Sequence, residues 1–222
     1  MNFLSASEIL EKKERGKCLT LLIRHAERRH ITSDDEDYGS KVPLTAEGRL
    51  QAFAAGRDFS GFAGTRFFAS SPVFRCRETA ALFAKACGAG EFSAPEKIVR
   101  FDCLGEFYVN GFPDYERYLK EGFYPAVCRF VREGSLPGFM PLAQGSEKFL
   151  RFLLDNSSAD LNVFCSHDAW IVPFLSYFTD VRFGPGLWLN FLSGAAILFS
   201  RGGEEPPRIF PLKFLGDGYL RF

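Results

Sequence analysis

Two arginines, two histidines and two acidic residues in this chain stand where side chains can do chemistry together. Arg24 and His25 follow the apolar run Cys18 to Ile23, and Arg75 follows Ser70-Ser71-Pro72. Glu106 closes the stretch that begins at Ile98, and His167-Asp168 come just after Leu161 to Cys165. A guanidinium fork matches two oxygens of a phosphoryl group. An imidazole can add a hydrogen bond to such a group or attack phosphorus itself, and a carboxyl nearby can protonate the departing oxygen. Chemistry of this kind takes its positive charge from side chains, so neither a metal nor another cofactor is expected.

These groups can cooperate only if the fold gathers them. Short, unbroken apolar runs are the mark of strands buried on both faces. They predict strands over Cys18 to Ile23, Thr65 to Ala69, Ile98 to Cys103 and Leu161 to Cys165, with Ala195 to Phe199 and Arg208 to Phe214 at one edge. Between them lie helix signals. Ser7 caps a polar helix ending at Gly16, and Thr45 caps one through Leu50 and Phe53 to about Phe59. Ser71 suits an N-cap with Pro72 at the first helical position, ahead of a helix to Ala86 that Gly88 ends. A further helix runs from Asp168 toward Phe178, and residues 26–43 read as a long polar loop. Strands alternating with helices predict an α/β fold, a three-layer α/β/α sandwich around a mostly parallel central sheet. Ligand sites in such sheets form beyond the carboxyl ends of the strands. Four predicted strands end in the residues named above, so all of them face one rim.

One stretch differs from the rest. From Phe107 to Phe139 there are nine aromatics in 33 residues, with several Gly and Pro. It reads as a small aromatic-rich cap insertion, over about 107–145, whose rings either form its own core or line an apolar cover for a substrate.

The chain of 222 residues suits a single domain, 1–222, and its 27 basic side chains are balanced by 27 acidic ones. That balance excludes a generally basic nucleic-acid binder. No apolar run approaches the ~20 residues of a membrane span, and the N-terminus lacks the apolar stretch of a signal peptide. Six widely spaced cysteines without a C-x-x-C pair read as reduced thiols of a cytoplasmic protein, not a disulfide framework or a zinc site. The expected partner is a small phosphorylated substrate, with no nucleic acid and no membrane. The protein is expected as a monomer or homodimer, with Trp188 and nearby Phe residues as candidate interface. Phosphate-loop, dinucleotide, serine-hydrolase and zinc-protease motifs are missing from the sequence.

Leu22-Ile-Arg24-His25-Ala-Glu27 resembles the Arg-His-Gly/Ala signature of the histidine phosphatase superfamily, which includes phosphoglycerate mutases and many small-molecule phosphatases. Pro43-Leu-Thr45-Ala-Glu-Gly48-Arg-Leu-Gln51-Ala is similar to that family's Leu-Thr-x-x-Gly-x-x-Gln-Ala segment. Ala69-Ser70-Ser71-Pro72-Val-Phe-Arg75-Cys-Arg-Glu-Thr79-Ala80 resembles its Ser-Ser-Pro-x-x-Arg-x-x-x-Thr-Ala segment, and Phe164-Cys-Ser166-His167-Asp168 its second-histidine motif. The four stand in family order.

The resemblance implies a phosphoglycerate mutase-like fold and a metal-independent phosphomonoester hydrolase acting on a small phosphorylated metabolite. His25 would be the nucleophile, forming a phosphohistidine that water hydrolyses. Arg24, Arg75 and His167 would bind the phosphoryl group. Glu106 sits where one branch of the family places its proton donor, and Asp168 where the other does; the short chain resembles the first branch and favours Glu106. To attack, His25 needs one bare ring nitrogen, with the other bonded to an acceptor such as a backbone carbonyl.

The family often has Thr and Asn where this chain has Arg28-Arg29-His30. Arg28 either adds a cation to the pocket or pairs with Asp34 to Asp37, and His30 is expected on the surface of the loop. No segment resembles the mutases' insert after the donor, which favours phosphatase over mutase. The alternatives are a mutase-type phosphotransferase, a weakly catalytic phospho-ligand binding protein and, more remotely, a metal hydrolase using both histidines.

Overall fold

All seven residues of Cys18–Arg24 are buried, and they form β1 near the middle of a six-stranded sheet. A computed structural model describes residues 2–32, 35–203 and 205–221. β2 (Arg66–Ser70), β3 (Val99–Arg100), β4 (Leu161–Ser166), β6 (Gly194–Phe199) and β7 (Arg208–Leu212) complete this sheet in the order β3-β2-β4-β1-β6-β7. The first four strands of that order run parallel, while β6 and β7 add antiparallel at the far edge. A separate pair is formed by β5 (Leu187–Leu189) and β8 (Tyr219–Arg221).

Side chains alternate across a strand with a period of two, so the continuous run of β1 feeds two cores. Leu19, Leu21 and Ile23 pack with α2 (Ala46–Arg57) and α3 (Phe74–Ala86). Cys18 and Leu22 belong to the opposite core, with α5 (Phe123–Glu133), α6 (Leu142–Asp155) and α7 (Asp168–Phe178). The mostly parallel sheet with helices on both faces is the expected three-layer arrangement.

Several local expectations need correction. The first helix, α1 (Ala6–Lys12), is capped by Ser5 rather than Ser7, because Ser5 and Glu8 close a reciprocal capping box. Ser71 does not cap α3: Val73 takes that place, and the Ser71 hydroxyl is engaged with His167 instead. The strand expected from Ile98 to Cys103 shrinks to Val99–Arg100, since residues 102–105 coil into a single 3-10 turn. α2 stops at Arg57, two residues short of Phe59. Trp188 is 4% exposed, so its ring is not available as an interface residue.

The polar loop keeps its expected place, with one 3-10 turn at Glu36–Gly39; Asp34 lies outside the described residues. The aromatic-rich stretch forms α4 (Phe112–Glu121) and α5, and α5 packs against α7. Its rings divide between two settings. Tyr108, Phe130 and Phe139 are buried around Trp170 of α7, while Phe123 and Tyr124 face an open cavity. Among the described residues no helix is long and apolar enough to cross a membrane.

Candidate active site

The sheet register sets the rim. Arg24 pairs with Ser166 and Ser70 with Cys165, so β1, β2 and β4 end at one level. Each ladder continues one residue further: His25 N–H donates to the Ser166 carbonyl at 3.1 Å and Ser71 N–H to the Cys165 carbonyl at 3.0 Å. The two turns that leave β1 and β2 are thereby fastened to β4 before the chain departs. On the other side Arg24 N–H donates to the Ser193 carbonyl at 3.0 Å, so β1 is held from both flanks.

His25 is 1% exposed, and its Nδ1 lies 2.8 Å from the Ala26 carbonyl oxygen. A carbonyl can only accept, so Nδ1 carries the proton and the lone pair stands on Nε2. Ala26 is fixed in turn: its N–H donates to Thr79 Oγ1 at 3.0 Å, and that hydroxyl donates to the Arg75 carbonyl at 2.8 Å. Burial pushes the His25 imidazolium well below its usual range, and the cations Arg75 and Arg24, then His167, push it the same way. The neutral ring, the form able to attack, therefore persists into acid solution.

His167 lies with its ring centre 5.5 Å from that of His25, the planes at 69°. Arg75 Nη2 is 3.5 Å from His167 Nδ1, which must accept, so Nε2–H donates to Ser71 Oγ at 3.0 Å. Arg75 also donates through Nη1 to the Gly39 carbonyl at 2.8 Å, tying the polar loop to the rim. Arg24 donates to the Leu189 carbonyl at 2.5 Å, pairs with Asp168 at 3.0 Å and lies over the Phe191 ring at 4.2 Å from its centre.

Two cavity lobes, of about 760 and 430 Å³, share Arg28, Phe123, Asp168 and Ala169 on their walls. Arg24 lines the larger lobe, while Arg75 and His167 line the smaller. The Nε atoms of Arg24, Arg28 and Arg75 are buried without a hydrogen-bond partner among the described residues. Buried donors of a charged group that stay unpaired are costly, and an anion bound between them would repay that cost. Arg28 is turned to this cavity and is half-buried; burial and Arg75 bring its guanidinium down to about 10. The neighbouring Arg29, not Arg28, forms the ion pair with Asp35. His30 is exposed at the rim of the larger lobe.

The two acidic candidates part company. Asp168 lines both lobes; burial raises its carboxyl, but Arg24, the Trp188 N–H, His167 and Arg28 outweigh that and hold it low. Glu106 lines neither lobe, although Gly105 beside it does, and burial with Asp102 nearby raises its carboxyl. Thus Arg24, Arg75, His167, Arg28 and Asp168 are brought together on the cavity walls; His25 lines neither lobe but lies against His167, and Glu106 also lines neither. Sequence reasoning passed over Ser71 as a partner of His167 and gave Thr79 no role, although both lie in a quoted motif. It also missed Trp188 and Phe191, which arrive from the far end of the chain. Among the described residues no group of three or more His, Cys, Asp or Glu is arranged to hold a metal ion.

Comparison with known proteins now adds to the geometry. Residues 20–112 match the model of the histidine phosphatase superfamily, branch 1. No curated protein matches the chain in sequence. Among solved structures, the phosphoglycerate mutase of Bacillus anthracis superposes with a TM-score of 0.58 at 14% identity, over 89% of this chain and 93% of that one. A mycobacterial glucosyl-3-phosphoglycerate phosphatase gives a TM-score of 0.50 at 13% identity, over 88% and 98% of the two chains. A mutant phosphoserine phosphatase of Entamoeba histolytica, in complex with phosphoserine, gives 0.50 at 18%, over 86% and 94%. These likenesses show the fold, and the matched segment contains Arg24, His25, Arg75 and Glu106. Residues 20–112 are thus similar to the histidine phosphatase superfamily, and the chain as a whole has the phosphoglycerate mutase-like fold.

Proposed function

We propose that the protein hydrolyses phosphomonoesters through a phosphohistidine on His25. The observation that supports this most is the state of that ring: Nδ1 is tied to the Ala26 carbonyl and the surroundings disfavour its protonation, beside buried guanidinium groups suited to an anion. Nε2 attacks phosphorus, the bond from phosphorus to the ester oxygen breaks, and the departing oxygen takes a proton from a carboxyl. Water then attacks the phosphohistidine, giving its proton to the same carboxylate and releasing phosphate with His25 neutral again. Arg24 and Arg75 hold non-bridging oxygens and offset the charge that builds on them, and His167 joins them by turning its N–H from Ser71 to the anion.

Glu106 is the proton donor in this reading. Burial and Asp102 raise its carboxyl above the usual range, whereas Arg24 and the Trp188 N–H outweigh burial and hold that of Asp168 low. The branch matched by residues 20–112 is the one whose resemblance assigned the donor to Glu106. The role requires the Glu106 side chain to turn past Gly105 into the smaller lobe when substrate is bound.

The test is turnover of p-nitrophenyl phosphate in EDTA by the wild type and His25→Ala. The expected result is chelator-insensitive hydrolysis that the variant loses while keeping the wild-type circular dichroism spectrum. Wild-type rates in His25→Ala would refute the mechanism, and exchange of phosphate between hydroxyls faster than its release to water would mark a mutase instead.

A further inference from the structure

The larger lobe has a wall that the hydrolytic step does not use. Phe123, Tyr124, Val127, Trp188, Phe191 and Leu220 face it. The polar atoms of its two amphipathic rings are already spent inside the protein. Tyr124 Oη donates to the Gly184 carbonyl at 2.5 Å, and Trp188 Nε1 donates to Asp168 Oδ2 at 2.8 Å. Phe191 offers one face to the Arg24 guanidinium, which sits at the inner end of the lobe. What remains for an occupant is ring surface and methyl groups, with charge confined to Arg24, Arg28 and Asp168 at the inner end and to His30 at the rim. The volume, about 760 Å³, falls in the range of cavities that enclose small organic molecules. The smaller lobe is differently made. It holds Arg75 and His167, and its outer part carries the carboxylates Asp37 and Glu116.

A phosphoryl group held by Arg24, Arg75 and His167 sits where the two lobes adjoin, so its ester oxygen can direct the rest of the molecule into the apolar space. A sugar or glycerate moiety placed there would leave its hydrogen bonds to water without replacement. An apolar skeleton gains by the same move. We propose that the substrates of this protein are phosphomonoesters of apolar alcohols or phenols, with the carbon skeleton seated against the aromatic wall. This rests on the phosphatase reading above, and the experiment separates the two.

Binding is measured by titration calorimetry with methyl-, ethyl-, propyl-, butyl- and hexylphosphonate, which cannot be hydrolysed. Turnover is measured as kcat/KM for the matching alkyl phosphates, 1-naphthyl phosphate and glycerol phosphate. The expected result is a rise of roughly two- to fourfold per added methylene in both series, with glycerol phosphate below propyl phosphate. Leu220→Asn, a half-buried position on β8 outside the charged cluster, should flatten that rise and leave methylphosphonate affinity unchanged. Affinity independent of chain length, or glycerol phosphate preferred over propyl phosphate, overturns the assignment, as does failure to bind any phosphonate. A chain-length rise in binding with no turnover of any ester supports the lobe assignment while refuting the phosphatase reading. Turnover without a chain-length dependence does the reverse.

Discussion

Thr79 is the side chain through which α3 reaches the His25 turn, and replacing it by valine should damage catalysis more than it damages the fold. Valine matches the shape of threonine but cannot accept the Ala26 N–H that now lies 3.0 Å from Oγ1. The residue is fully buried, so water cannot substitute. The Arg75 carbonyl keeps its place in the helical ladder, and the loss centres on the Ala26 N–H. An unsatisfied buried amide costs about 1–3 kcal/mol, which for a chain of this size lowers the melting temperature by roughly 2–4 °C per kcal/mol. Ala26 also supplies the carbonyl that fixes the His25 proton on Nδ1. Displacing a reacting group by as little as 1 Å can cost about 100-fold, so kcat for p-nitrophenyl phosphate should fall by ten- to roughly 100-fold. The Ala26 bond favours the protonated ring, so weakening it should carry the acid limb of the pH profile to lower pH. Thr79→Ser keeps the hydroxyl and should recover most of the rate. Thermal unfolding, steady-state rates and pH profiles of both variants decide the matter. A Thr79→Val enzyme that is less stable yet has wild-type kcat and an unmoved acid limb would refute the positioning role.

Other consequences can be checked in the same preparations. Glu106→Gln should lower kcat by about 100-fold or more for alkyl phosphates, whose leaving oxygen needs a proton, and by much less for p-nitrophenyl phosphate. Asp168→Asn, which removes the partner of Arg24, should mainly change KM; the opposite pattern would make Asp168 the donor. His25 is held neutral in the folded state while an unfolded chain takes up its proton below about pH 6.5. Stability contributed by this group is therefore full above that pH and falls as the pH drops toward the lowered folded value. Melting temperatures at pH 7.5 and 5 should differ less in His25→Gln than in the wild type. Gly194→Ala would place a methyl 1.8 Å from the Leu22 carbonyl oxygen, where β6 meets β1. A loss of about 3 kcal/mol or more is expected by chemical denaturation, because backbone rather than a side-chain tip must move.

How far the sequence was legible follows from the range over which each signal acts. Arg24, His25, Arg75 and His167 could be placed together because each lies just past a strand of unbroken apolar residues or in the helix that follows, and a parallel sheet aligns those ends. Ser71 was misread because its local pattern, a serine before a proline, is a good helix start; a tertiary partner, His167, outcompeted the helix for its hydroxyl. The third strand was overextended for a similar reason. Phe101 and Leu104 are apolar, but the latter is buried by the 3-10 turn that delivers Gly105 to the cavity. Trp188, read as a candidate interface residue, and Phe191 carried no local signal for the site. Their contribution depends on β5 pairing with β8 and on the bond from Trp188 to Asp168, contacts twenty or more residues apart in sequence.

Trp170 bears on how this protein could change over evolutionary time. Its indole donates to the Gly105 carbonyl at 2.6 Å, and its ring is packed by Tyr108, Phe123 and Phe139 from the aromatic-rich segment. It sits three residues after His167, in the first turn of the helix that begins there. The segment that walls the cavity and the helix that carries the second histidine are therefore braced by one side chain. A new wall cannot be exchanged like an interchangeable part, because a replacement must also refill the space around that indole or tilt the start of α7. Specificity in this lineage should drift through rim positions such as Leu220 and Tyr124, while the residues around Trp170 change only in concert.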